Sequence, residues 1–162
     1  MARTNGLKSS YFHHTGDSSS DSTSDMGWIA PLFYTAMKCR HHRMRLQAIR
    51  LIESTLHKEG IWDGNIAAIV ARKAMALEER EFYDDLKAAD EEFDLLSVPT
   101  VQELLLPVPP AEHRLKEAKV ILPDGPSGRI ILKCGFGTKF LPGSSTAIQY
   151  DDLAQTWSEL VG

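Results

Sequence analysis

Cysteine is scarce in this sequence: Cys39 and Cys134 are the two among 162 residues. That excludes a disulfide-stapled scaffold and fits a reducing compartment. Cations are not in excess either. With 18 Lys and Arg against 22 Asp and Glu, the formal net charge is -4, which disfavours nucleic-acid binding through overall charge. No apolar run approaches the roughly 20 residues of a membrane helix. The best one, Trp28 to Met37, is interrupted by Pro31 and Thr35 and then meets Lys38 and Arg40. The amino terminus lacks the apolar core of a signal peptide. A soluble protein of the nucleus or cytoplasm, with no membrane contact, is the expectation. The remainder is ordinary globular composition, 43% hydrophobic and 8% aromatic, and the chain is long enough to bury one core.

Along the chain, composition shifts once. Residues 1–25 carry the run Ser18 to Asp25, with no apolar side chain to offset the entropy of ordering, and read as a Ser/Asp-rich disordered tail. Ser18 and Ser22 each precede an Asp by three residues, an acid-directed phosphorylation pattern that a plain solvated tail also produces. Residues 26–162 read as a single helical domain. Trp28, Ile29, Leu32, Phe33, Ala36 and Met37 form a helical stripe, with Pro31 in the tolerant first turn. A second helix is predicted over His42 to His57, with Met44, Ala48, Leu51, Ile52 and Leu56 inward and Arg43, Arg45 and Arg50 outside or at the margins. Gly60 is placed to end it and Asp63 to cap a third helix, from Gly64 to Leu86 or as far as Phe93. Ile66, Val70, Ala74, Leu77 and Glu81 share one line on that helix, and its later part is acidic.

Prolines 99, 107, 109 and 110 bracket a short helix over Thr100 to Leu105. Ala118 to Leu122 and Arg129 to Cys134 then read as a β-hairpin around the turn chemistry of residues 123–128. Tyr150 to Leu160 is predicted as a closing helix with Leu153, Trp157 and Leu160 inward. The fold class expected is thus mainly α, with a small C-terminal β-hairpin and a short final helix.

Reactive chemistry is thinly represented. Two distant cysteines and the pairs His13-His14 and His41-His42 lack zinc-ligand spacing, since adjacent helical histidines diverge by about 100°. Gly135-Phe136-Gly137 lacks the third glycine and the Lys of phosphate loops. No G-x-S-x-G elbow is present, and Cys39 reads as a small helix cysteine despite Lys38 and Arg40 beside it. No cofactor, metal or catalytic residue is expected. The most polarised stretch holds Lys38, Arg40, Arg43, Arg45 and Arg50 with no acid among them. These are candidate contacts for a partner or for phosphate. Pairing with the acidic end of the third helix, or with another domain, is the favoured reading over contact with nucleic acid.

The segments Leu32 to Arg40 (LFYTAMKCR), Arg45 to Ile52 (RLQAIRLI) and Lys58 to Asp63 (KEGIWD) resemble the carboxy-terminal region of fungal-specific transcription factors, regulators that carry an amino-terminal binuclear zinc cluster of six cysteines. The likeness extends less specifically through Pro110 to Arg114 and the hairpin to Trp157. It departs at His41-His42, where the family has Asp-Pro. The resemblance implies a helical regulatory-domain fragment whose motif residues, Cys39, Arg40, Arg45, Gly60, Trp62 and Asp63, are structural. Two cysteines cannot build the zinc cluster, so no sequence-specific DNA binding by this chain alone is expected. The implied role is a non-enzymatic regulatory or protein-interaction module in transcription, with protein partners. An unrelated small helical interaction or scaffold protein is the alternative.

Overall fold

A computed structural model describes residues 27–55, 57–86, 93–122, 129–136 and 145–160. The predicted tail, the turn at 123–128 and the glycine loop beyond Phe136 lie outside the described residues. Helices α1 (Ile29–Lys38) and α2 (His42–Thr55) are followed by a two-stranded ribbon of β1 (Lys58–Glu59) and β2 (Trp62–Asp63), then by α3 (Gly64–Glu79) and the four-residue α4 (Val101–Leu104). Strands β3 (Leu115–Ile121), β4 (Ile130–Phe136), β5 (Ser145–Asp151) and β6 (Thr156–Glu159) form an antiparallel sheet in the order β3-β4-β5-β6.

This sheet overturns the mainly α expectation; the fold is mixed α/β. The hairpin is real but longer than predicted, and it is half of a meander. The predicted closing helix is instead the end of β5, a turn, and β6. Leu153, Trp157 and Leu160 have helical spacing, yet Leu153 is 99% exposed and the two-residue period of Ile148 and Tyr150 prevails. The Asp151 carboxylate accepts from the Leu153 and Ala154 amides at 3.0 and 3.1 Å, and Gln155 takes a positive φ of 50°, so the chain reverses there. Tyr150 then faces Trp157 across the ladder, ring centroids 5.2 Å apart.

Helix α3 has two working sides. Val70 and Ala74 pack on Leu115, Ile130, Leu132, Cys134, Ile148 and Tyr150 of the sheet. Ala67, Ala68, Ala71 and Met75 face Ile29, Ala36, Leu46, Ile49 and Ile52 of α1 and α2. Alanines on that side let the helix backbones approach closely. The third helix also stops earlier than predicted. Arg80 has φ 48° and ψ -120°, which ends α3 at Glu79, before the acidic residues whose mutual repulsion opposes a helix. Glu81, expected on the inner line, is exposed.

Helix α2 is rotated from its predicted phase. Its buried residues are His42, Arg43, Arg45, Leu46, Ala48, Ile49 and Ile52. Met44, expected inside, is exposed, whereas Arg43 and Arg45, expected outside, are 3% and 1% exposed. A reading that puts charge outside selects the wrong face when the charge has interior partners.

Candidate functional site: a buried arginine–glutamate junction and its clasp

Helix α1 ends where Cys39 turns extended (ψ 146°), and α2 begins at His42. This break directs the basic segment onto the end of α3. There Glu78 and Glu79 are 2% and 5% exposed. Arg40 Nη1 donates to both Glu78 oxygens at 2.8 Å. Arg45 Nη1 lies 2.8 Å from Glu78 Oε2 and 3.3 Å from Glu79 Oε1, while its Nε donates to the Ala36 carbonyl at 2.8 Å. His42 Nδ1 is 2.6 Å from Glu79 Oε2. The Leu115 amide completes the set, donating to Glu78 Oε1 at 2.7 Å and tying the first residue of the sheet to the helices.

All four carboxylate oxygens therefore face a cation, an imidazole or an amide, the condition under which buried charge is tolerated. Tyr83 closes one side. Its ring lies 4.5 Å from His42, and its hydroxyl donates to the Pro107 carbonyl at 2.5 Å. Burial, reinforced by the Glu79 charge, pushes the Tyr83 phenol up to about 12.

Arg43 makes a separate clamp on the segment after α3. Its Nε donates to Glu103 Oε1 at 3.0 Å, its Nη2 to Ser97 Oγ at 2.8 Å, and its guanidinium lies 3.3 Å from the centroid of Phe93. Gln47 holds the carbonyls of Leu95 and Ser97 at 2.7 and 3.0 Å. The Thr100–Glu103 capping box starts α4, as the predicted short helix there requires. The Thr100 amide and hydroxyl, together with Arg43, hold the Glu103 carboxyl below its usual range against a smaller effect of burial.

The Glu-Gly-Ile-Trp-Asp segment is a clasp between helices. Glu59 reaches back to the start of α1, where the Ile29 amide donates to Oε2 at 2.8 Å; Trp28 supplies no side-chain cap of its own. Gly27 leaves the space this needs, since a Cβ there would sit 1.9 Å from Glu59 Oε2. Gly60, with φ 58°, turns the ribbon rather than ending α2, which stops at Thr55. Trp62 is half-buried and its ring lies 5.4 Å from Phe33. Asp63 caps α3 by accepting from the Ile66 amide at 3.2 Å, and it meets Lys58 Nζ at 3.2 Å.

The remaining predicted residues stand apart from both clusters or at their margins. Lys38 is exposed in the last turn of α1, and Arg50 lies 4.5 Å from the Phe93 centroid. Cys39 is half-buried with its Sγ 4.0 Å from Met44 Sδ. Cys134 is buried among apolar strand residues, and burial pushes its thiol up to about 11, despite an opposing effect of Lys73. Among the described residues no group of three or more His, Cys, Asp or Glu is placed to hold a metal ion.

Sequence reasoning placed the acidic end of the third helix, where Glu78 and Glu79 lie, opposite the basic stretch, but it missed His42 and Glu103 as members of the site. The signal for the pairing is that two adjacent acids close an apolar-periodic helix, and an acid-free basic stretch precedes it. The chain was compared with protein families, with curated proteins and with solved structures, and it matches none of them.

Proposed function

We propose that this chain is a non-enzymatic regulatory and protein-interaction module in transcription, similar to the carboxy-terminal region of fungal-specific transcription factors and without sequence-specific DNA binding of its own. The observation that carries this reading is how charged and apolar groups are deployed around the motif. Arg40, Arg43 and Arg45, which a phosphate-reading surface would present outward, are engaged by Glu78, Glu79 and Glu103. Apolar groups lie outside instead. Ile61 is 92% exposed at the clasp tip, and Trp28 is 73% exposed at the start of α1. A groove of about 260 Å³ runs between Phe33, Trp62, Ile66 and Val120. Exposed apolar surface of this kind is what a protein partner covers.

Fused to a heterologous DNA-binding domain, the chain should change transcription of a reporter. Replacing Ile61 and Trp28 by Ser should remove that effect while leaving the melting temperature close to the parent's. An inert fusion would refute the regulatory reading. A sequence-selective, salt-sensitive gel shift by the purified chain would refute the absence of DNA reading.

A further inference from the structure

Between the last turns of α3 and the β5–β6 end of the sheet lies a second cavity, of about 280 Å³. Trp157 and Phe136 supply aromatic lining, Ser158 a hydroxyl, and Lys73 and Arg80 two cations. We propose that this cavity binds a small planar organic anion, of the aryl carboxylate class.

The charges favour an anion. Among the described residues neither Lys73 nor Arg80 forms an ion pair, although most arginines around them do. Lys73 Nζ is 5.9 Å from the Trp157 centroid, at the outer limit of a cation–π contact, which leaves its protons available to a stronger acceptor. Glu159 is the one carboxylate among the described lining residues, so the cations outnumber it. Charge-assisted hydrogen bonds from an ammonium and a guanidinium suit a carboxylate.

The walls favour a ring. Trp157 is held by its cross-strand contact with Tyr150, so it presents a fixed aromatic surface for offset packing. The volume is at the small end of ligand cavities, room for one ring and an acid group. Arg80 reaches this place from a backbone with φ 48°, a conformation that a non-glycine residue adopts only at a cost. This inference stands or falls independently of the proposed role in transcription.

The test is calorimetric titration of the whole chain with benzoate, benzyl alcohol and inorganic phosphate. Benzoate should bind saturably at sub-millimolar concentration, and the neutral alcohol and the ringless anion each at least about tenfold more weakly. Lys73→Met and Arg80→Gly should each weaken benzoate about tenfold. Arg80→Gly removes the side chain and relieves the backbone, so it should melt no lower than the parent, and its loss of binding cannot be ascribed to unfolding. Absence of saturable benzoate binding, equal binding of the alcohol or of phosphate, or unchanged affinity in Arg80→Gly would each overturn the proposal.

Discussion

The two sides of α3 solve the same burial problem with opposite chemistry. Towards the sheet, Val70 and Ala74 meet Leu132, Cys134 and Ile148, and little but van der Waals packing and the hydrophobic effect operates there. Towards α1 and α2, an alanine-lined seam ends in a buried cluster of Arg45, His42 and two glutamates, with the partly exposed Arg40 at its edge. The apolar side tolerates any well-shaped neighbour. The ionic side demands particular partners, because a carboxylate left without its cation in the interior is far more costly than a lost methyl group. Packing on one side and charge matching on the other give α3 both adhesion and a unique rotational setting.

That contrast breaks most visibly at Arg45. Replacing Arg45 by Met keeps the volume but strips Glu78 and Glu79 of a shared cation, and should destabilise the fold by roughly 3–5 kcal/mol. Chemical denaturation of parent and variant measures it. Adding Glu79→Gln to Arg45→Met should recover part of the loss, with a coupling on the order of 1–3 kcal/mol. Additive losses would mean that the two groups do not sense each other. On the other side of α3, Leu132→Ala removes a fully buried side chain and should cost about 2–5 kcal/mol. Here a polar second substitution should rescue nothing, and the same denaturation experiment shows whether the two interfaces differ in kind.

The legible parts of this molecule were those governed by local rules. Asp63 at a helix start and Thr100 before α4 follow from backbone chemistry within three or four residues, whereas Gly60 takes its left-handed turn in the ribbon and not at the end of α2. Apolar α1 and strands β3 and β4 are also legible from their period. The failures arose where tertiary partners decide. The α2 face was misassigned because Arg43 and Arg45 are polar only until Glu103, Glu78 and Glu79 neutralise them, and those acids lie 30 or more residues away. Tyr150 to Leu160 was misread because three apolar residues at steps of four and three fit a helix by coincidence. Its strand character depends on a tight hairpin with the end of β5, Asp151 opposite Thr156 and Tyr150 opposite Trp157, which a search for helical period does not register. Of the site, the basic stretch, its pairing with the acidic end of the third helix and the clasp are legible, and the partners His42 and Glu103 are not.

A gentler probe of the comparison is the clasp, where aromatic packing and ionic capping occur on adjacent residues. Trp62 keeps part of its ring in water and contacts Phe33, so Trp62→Ala should cost on the order of 2 kcal/mol, below the roughly 3–5 kcal/mol of a fully buried ring. Thermal unfolding followed by circular dichroism reads this directly. A loss near zero would mean that the ribbon does not fasten α1 to α3.

Asp63 next door gives the smallest effect and the most specific signature. Burial alone would raise its carboxyl, but the Ile66 amide and the Lys58 ammonium outweigh that and hold it below the ordinary aspartate value of 3.8. A carboxylate depressed in the fold contributes stability above its unfolded pKa, and that contribution disappears as pH falls through the folded one. Asp63→Ala should therefore lose about 1 kcal/mol at neutral pH, and the gap between parent and variant should close in acid. Asp63→Asn retains an oxygen for the Ile66 amide and should recover most of the capping, yet it lacks the pairing with Lys58 and the titration. Unfolding curves of the three proteins from neutral pH to below 3.8 separate these contributions. If the Ala and Asn variants lose equal stability at neutral pH, the carboxylate acts through Lys58 alone and not as the cap of α3.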